Sequence, residues 1–477
     1  MKNIRILLSL ASLFFILSSC SKWLDVKPED KFIEEDVFST PQGFYDALNG
    51  IYMNLGKSSL YGSTLTLDVP DVLARMYAIN SFRPDFRRPL NAYNYEEENV
   101  QKTIDRIWSE MYANIANINV FISNLERKGA VLDKQSLAIM KGEALAARAY
   151  LYFDLLRMFA PAYAVDPLAE RLPYYDKVSS EIVSYSTTKD VLEKILIDLE
   201  LAAGILQESD PVMDLPLVDL TGGKVELGEK PFLTFRNYHF NYYAVKALEA
   251  RIHLYKGDKA DALAAAETVI GAKSKFPWVT VQNSTSNKIF STEMLFGFEN
   301  TDLYNRYRAL FAPSLDDNTI LAAGTNDNFL KNIFENWEND LRFGNHWVES
   351  GGKNYKVFIK YQEPSGFLLN YKNTVPGIGL AEVFLIAAEC TSDSNKALTY
   401  LNELLTNRKC DVIADPNGVN DRIGKEYRKE FYGQGQLWFY YKRNQASSIL
   451  DATNNTNYSI RESVFTFPIP LSETEPR

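Results

Sequence analysis

The chain has 477 residues, 46% hydrophobic and 23% charged, a balance that supports a packed core and excludes a disordered or collagen-like chain. Its formal net charge of −10 argues against nucleic acid or an anionic membrane surface as partner. Aromatic residues reach 13%, with 28 Tyr and 6 Trp, and such rings suit sugar faces and helical cores alike.

Lys2 and Arg5 precede an uncharged run from Ile6 to Leu17. Twelve residues are too few to span a bilayer, which takes about 20, and a short apolar run behind a basic start reads as a secretory signal. Leu17-Ser18-Ser19-Cys20 resembles a lipobox, so Cys20 is expected to be lipidated and to begin the mature chain after a signal peptide at 1–19. Each buried CH2 of an attached acyl chain would add about 0.8 kcal/mol of membrane affinity. No later stretch is long and apolar enough for a spanning helix.

Residues 21–40 read as a polar lead. Thr40 can cap a helix whose first position is Pro41. Phe44, Leu48, Ile51 and Leu55 then fall on one helical face, and Gly56 ends it. Residues 57–100 lose that rhythm and carry several prolines and many rings, which predicts long loops with one short helix at most. The run Glu96-Glu97-Glu98 reads as a solvated helix entry. Ile104, Trp108, Met111, Ile115, Ile118, Ile122 and Leu125 define a long helix, and Lys134 to Phe159 a second, with Gly129 between them. The two form an antiparallel hairpin. A further helix covers about 188–206.

The hairpin pattern recurs around Lys256-Gly257-Asp258, and again on either side of Thr391 to Ser394. Each pair exposes an apolar face it cannot bury alone, so several must stack. Residues 208–237 and 273–378 read as irregular, with short strand-like runs at Glu293 to Phe298 and Tyr355 to Tyr361. The fold class is therefore mainly α: tetratricopeptide-like helix pairs with long irregular loop insertions and a few short β hairpins.

Catalytic motifs are scarce. His239, His253 and His346 lie far apart, without the i, i+4 spacing of a helical metal pair. No phosphate loop, dinucleotide fingerprint or nucleophile elbow occurs, and no cofactor or metal is expected. Two carboxylates suffice for a glycosidase. Asp68 with Asp71, and Asp316 with Asp317, are loop candidates for which turn and capping roles are the plainer reading. Cys390 reads as a small core residue, and a bridge to Cys410 stays open.

Several segments, in order, resemble the RagB/SusD family of nutrient-binding outer-membrane lipoproteins. They are Cys20 to Pro28, Val37 to Tyr52, Gly142 to Phe159, Tyr238 to Lys256, Ala381 to Glu389 with Leu398 onward, Arg428 to Gln436 ending in Lys442-Arg443, and Phe467-Pro468-Ile469-Pro470. Departures at Ala160-Pro161-Ala162-Tyr163 and at Tyr440-Tyr441 mark a divergent member. The resemblance implies a single domain over 20–477, with an N-terminal part to about 230 and a C-terminal part from about 231. It implies a surface-exposed, lipid-anchored protein of the outer membrane and a SusC-like TonB-dependent transporter as partner. Its role would be capture of oligosaccharide, or of peptide in some members, without catalysis; a surface glycosidase is the remaining alternative.

The resemblance also places ligand sites on loop insertions. Two loops mix rings with hydrogen-bonding side chains: Tyr77, Asn80, Arg83, Phe86 and Tyr93 in the first, Tyr304, Tyr307, Trp337 and Trp347 in the second. These are the candidate ligand-binding residues. For any one of them, holding its own loop down is the plainer role.

Overall fold

The computed structural model of the protein describes residues 34–216, 230–335, 338–364 and 371–474. The signal segment, Cys20 and Trp337 lie outside the described residues. Helix α1 (Pro41–Leu55) begins as its sequence predicts. Thr40 Oγ1 accepts the Gly43 N–H at 3.2 Å, and Phe44, Leu48, Ile51 and Leu55 are buried.

The frame is a series of packed helices. Helices α2 (Glu98–Lys128) and α3 (Lys134–Phe159) form the first hairpin, broken at Gly129. Glu97 caps α2 by accepting the N–H groups of Asn99 and Val100, so the acidic run is indeed the helix entry. Helix α4 (Thr188–Ser209) packs on the other side of α3. The approach is close because Gly142 has no side chain: a Cβ there would lie 2.8 Å from Leu206 Cγ. Helices α5 (Tyr242–Lys256) and α6 (Lys259–Gly271) form the middle pair, turning at Gly257 with φ of 95°. Helices α7 (Leu303–Phe311), α8 (Leu380–Cys390) and α9 (Ser394–Asn407) follow, with α8 against both α6 and α9. Helices α10 (Val419–Glu430) and α11 (Leu437–Arg443) close the series. The mainly helical, hairpin-stacked architecture expected from the sequence is the one observed.

Among the described residues strands come only in pairs: β1 (Glu170–Pro173) with β2 (Tyr185–Thr187), β3 (Met294–Glu299) with β6 (Thr374–Gly379), β4 (Trp347–Glu349) with β5 (Lys356–Phe358), and β7 (Ser448–Asp451) with β8 (Thr456–Ser459). The β3–β6 pair is the non-local one. Glu299 faces Thr374, and the Asn300 N–H donates to the Asn373 carbonyl at 2.8 Å. Everything from 300 to 373 therefore leaves and returns at one point. Strand β6 runs directly into α8, so this point is fixed to the frame. Both Cys390 and Cys410 are buried free thiols. No helix among the described residues is long and apolar enough to cross a membrane.

Buried ion pairs tie the elements together. Arg236, fully buried, bridges Glu143 of α3 and Asp210, which accepts its Nη2 at 2.9 Å. Arg342 and Arg408 share Glu430, and reach Asp340, Glu426 and Glu293. Burial alone would raise the carboxyls of Glu143, Glu426 and Glu430, but the facing arginines outweigh it and hold each at about 2. A carboxyl lowered in the folded state stabilises it above the unfolded value and loses that contribution as pH falls. The melting temperature is thus expected to hold steady above pH 4.5 and drop as pH descends toward about 2. A thermal melt unchanged down to pH 2.5 would contradict this account.

Candidate functional site

Where the β3–β6 pair meets the segment before α5, a row of partly exposed rings lies on the surface: Phe235, Tyr238, Tyr371 and Tyr304. Phe235 and Tyr238 have ring centroids 6.3 Å apart, and Tyr238 stacks on Tyr371 at 5.9 Å with 26° between planes. Tyr238 bonds Thr374 at the start of β6, and the Tyr304 hydroxyl donates to the Lys372 carbonyl. Burial raises the phenols of Tyr238 and Tyr304, the latter to about 12, so both hydroxyls stay neutral at physiological pH.

The row divides two concavities. On one side is an open cleft of about 770 Å³, walled by Tyr238, His239 and the end of α1, with Asn49, Asn54 and Asn300 among its polar groups. On the other is a cavity of about 260 Å³, whose wall includes Tyr304, Tyr361, Tyr371, Asn287 and Lys360. Flat rings beside amide and ammonium donors make a surface that can stack on an apolar face while hydrogen-bonding its edge.

The floor of the cleft is rigid. Tyr52 donates to Glu143 Oε2 at 2.8 Å, and His239 Nδ1 contacts the same oxygen at 2.8 Å. Asn241 caps α5, and its amide donates to the Leu295 carbonyl of β3 at 2.8 Å. The rings around this floor are therefore carried by frame elements rather than by free loop.

Of the residues singled out in the sequence, Tyr304 alone among the described ones is on this row. Tyr77, Arg83, Tyr307 and Trp347 are interior, which corrects the expectation that they face a ligand. Tyr77 donates to the Leu67 carbonyl at 2.8 Å and meets Tyr432 edge-on. Arg83 is held by Asp85 at 2.9 Å and by the Ile320 carbonyl. Tyr307 stacks on Phe311, and Trp347 packs edge-on to Tyr432 at 4.7 Å. Tyr77, Tyr307 and Trp347 belong to the main hydrophobic core, so they fasten the insertions to the frame. Asn80 is half-exposed and bonded to Asn318 at 3.0 Å; Phe86 is half-buried beside Arg87. Tyr93 is half-buried, its hydroxyl on the Leu73 carbonyl, and it lines a separate shallow cleft with Arg171 and Asn94.

Asp68 and Asp71 do not serve local turns. Both are buried: Asp68 pairs with Arg87, and Asp71 accepts the N–H groups of Gly433 and Gly435. Asp316 does serve a turn, accepting the Asn318 N–H at 2.9 Å, whereas Asp317 pairs with Lys353. Among the described residues one group could hold a cation, His253 with Asp258 and Asp261 at the α5–α6 turn; Lys256 already occupies Asp258 at 2.6 Å.

Sequence patterning does not single out Phe235, Tyr238 or Tyr371. Tyr238 reads as the start of the middle helix pair and Tyr371 as part of an irregular stretch. The local signal was the Asn370-Tyr371-Lys372-Asn373 cluster, a ring flanked by amides.

Comparison with known proteins follows the same lines. The sequence profile of a SusD-like family, described as starch-binding and associating with the outer membrane, matches residues 22–215. SusD-like protein P25 of Formosa agariphila is 22% identical over 186 residues, which are 38% of this chain and 35% of that protein. The chain thus matches about a third of that relative's length. Among solved structures, a SusD superfamily protein of Bacteroides thetaiotaomicron superposes with a TM-score of 0.70 at 22% identity, over 91% of this chain and 97% of its own. A SusD-like carbohydrate-binding protein of Bacteroides vulgatus superposes with a TM-score of 0.69 at 17% identity, over 91% and 96%.

Proposed function

We propose that this chain is a SusD-like protein that captures oligosaccharide at the cell surface and hands it to a SusC-like TonB-dependent transporter. In this reading Cys20 carries the lipid anchor in the outer membrane, and the chain binds its ligand without turning it over. The carrying observation is the row of partly exposed rings between cleft and cavity, held on frame elements. Sugar C–H faces would stack on Tyr238, Tyr371 and Tyr304, and amides such as Asn49 and Asn54 would take ring hydroxyls. Preorganised rings lose little conformational freedom on binding, which favours affinity. The family description, starch-binding and associated with the outer membrane, agrees with this assignment.

The test is calorimetric titration of the full chain with neutral and acidic oligosaccharides, wild type against Tyr304→Ala and Tyr371→Ala. Each truncation is expected to weaken binding by about 1–2 kcal/mol, roughly 5- to 30-fold. Unchanged affinity in both variants would remove the row from the site. Release of shortened product during the titration would argue for hydrolysis instead.

A further inference from the structure

Two donors on buried side chains of the cavity wall have no hydrogen-bond partner among the described residues. Lys360 is 5% exposed and lines both the cavity and the small pocket behind it. Its ammonium makes no hydrogen bond or ion pair among the described residues. The carboxylates that act on it electrostatically are Glu430, Asp71 and Glu293. Each is already committed: Glu430 to Arg342 and Arg408, Glu293 to Arg408, and Asp71 to two backbone N–H groups. Asn287 is 3% exposed. Its Oδ1 accepts the Ser291 N–H at 2.9 Å, which fixes the amide so that its NH2 points elsewhere, again to no acceptor among the described residues.

Several of the cavity's other polar groups are occupied, Lys288 among them at 3.5 Å from Gln362 Oε1. The Tyr361 hydroxyl donates to the Gly433 carbonyl at 2.7 Å, and Tyr304 and Thr374 are bonded as described. Donors therefore exceed acceptors at this wall. Charge points the same way. Lys288, Lys360 and Lys372 line the cavity against one carboxylate, Glu363, in a chain whose net charge is −10. A buried donor without an acceptor is destabilising, most of all when charged. Burial lowers the Lys360 ammonium to about 8, so it is still charged at neutral pH.

We propose that this cavity receives the anionic group of an acidic oligosaccharide, a carboxylate or a sulfate ester, held by Lys360 and Asn287 with Lys288 and Lys372 at the rim. Tyr304 and Tyr371 on the same cavity supply flat faces for the sugar ring that bears the anion. The inference rests on the capture reading and adds the ligand's charge to it.

Four probes would be titrated into the full chain: tetragalacturonic acid, its carboxyl-reduced neutral counterpart, a sulfated galactan tetrasaccharide and triaspartate. At least one acidic sugar is expected to bind tenfold or more tighter than the neutral one, with affinity falling as salt rises. Which acidic arm wins separates carboxylate from sulfate. The acidic-to-neutral ratio is expected to drop to threefold or less in Lys360→Gln, and to fall by several-fold in Lys372→Ala, whose exposed side chain places no demand on folding. A ratio near one in the wild type, or one kept in both variants, overturns the inference while leaving capture intact. Tighter binding of triaspartate than of either acidic sugar overturns the glycan class. Binding of no sugar, neutral or acidic, overturns the capture reading itself.

Discussion

Replacing Arg342 with methionine is expected to destabilise the protein by about 3–5 kcal/mol, the usual cost of removing one partner from a buried ion pair. The side chain is 1% exposed and donates to Asp340 at 2.6 Å, Glu426 at 2.7 Å and Glu430 at 2.8 Å. Methionine fills part of the volume but answers none of the three carboxylates. Glu430 would keep Arg408, and Glu426 would keep Arg422 and Lys429. Asp340 would keep only neutral donors, the Arg342 N–H at 2.9 Å and the Cys410 thiol. Its charge would then lie buried without a compensating cation. Urea unfolding of the wild type and the variant at pH 7 checks the loss. A loss under 1 kcal/mol would show the network to be dispensable. Lys102→Ala breaks an exposed pair with Glu98 and is the matched comparison, expected to cost less than about 0.5 kcal/mol.

The second large effect is expected at Gly435→Ala. This glycine has φ of 70°, and a Cβ would lie 2.2 Å from the Leu65 carbonyl oxygen. The left-handed conformation alone costs alanine about 1–2 kcal/mol. The clash is with backbone, so the turn must move. Its N–H groups at Gly433 and Gly435 hold buried Asp71, and the Gly433 carbonyl holds Tyr361 in the cavity wall. A total of about 3 kcal/mol or more is expected, with weakened ligand binding in whatever fraction folds. Thermal melts and titrations of the same preparation would check both. Gly204→Ala, on an open face of α4 with nothing within 4 Å, should be neutral or stabilising by up to about 1 kcal/mol. Equal melting temperatures for the two variants would refute the argument from conformation.

The frame was legible because its signals are local. Thr40 before Pro41, Gly129 between two long apolar stripes and Gly257 in a tight turn each act within a few residues. The site was less legible because its parts are brought together by pairing across long separations. Nothing near Tyr371 announces that β6 will lie beside β3, or that Tyr238 will stack on it. Loop rings also read alike whether they face in or out. Tyr304 and Tyr307 sit one helical turn apart, yet one lines the cavity and the other packs inward on Phe311. Buried charge was hidden for the same reason. Asp71 looks like any loop acid until the chain near residue 433 arrives to hold it.

The excursion from Asn300 to Asn373 begins and ends on hydrogen-bonded neighbours. Closing a longer or shorter segment between two such posts changes the entropy slowly, by about 0.6 kcal/mol for each doubling of length. Descendants of this gene could thus lengthen or shorten the solvent-facing turns of the excursion, trading one diet for another, provided that Arg342 and the rings packed on the frame are kept.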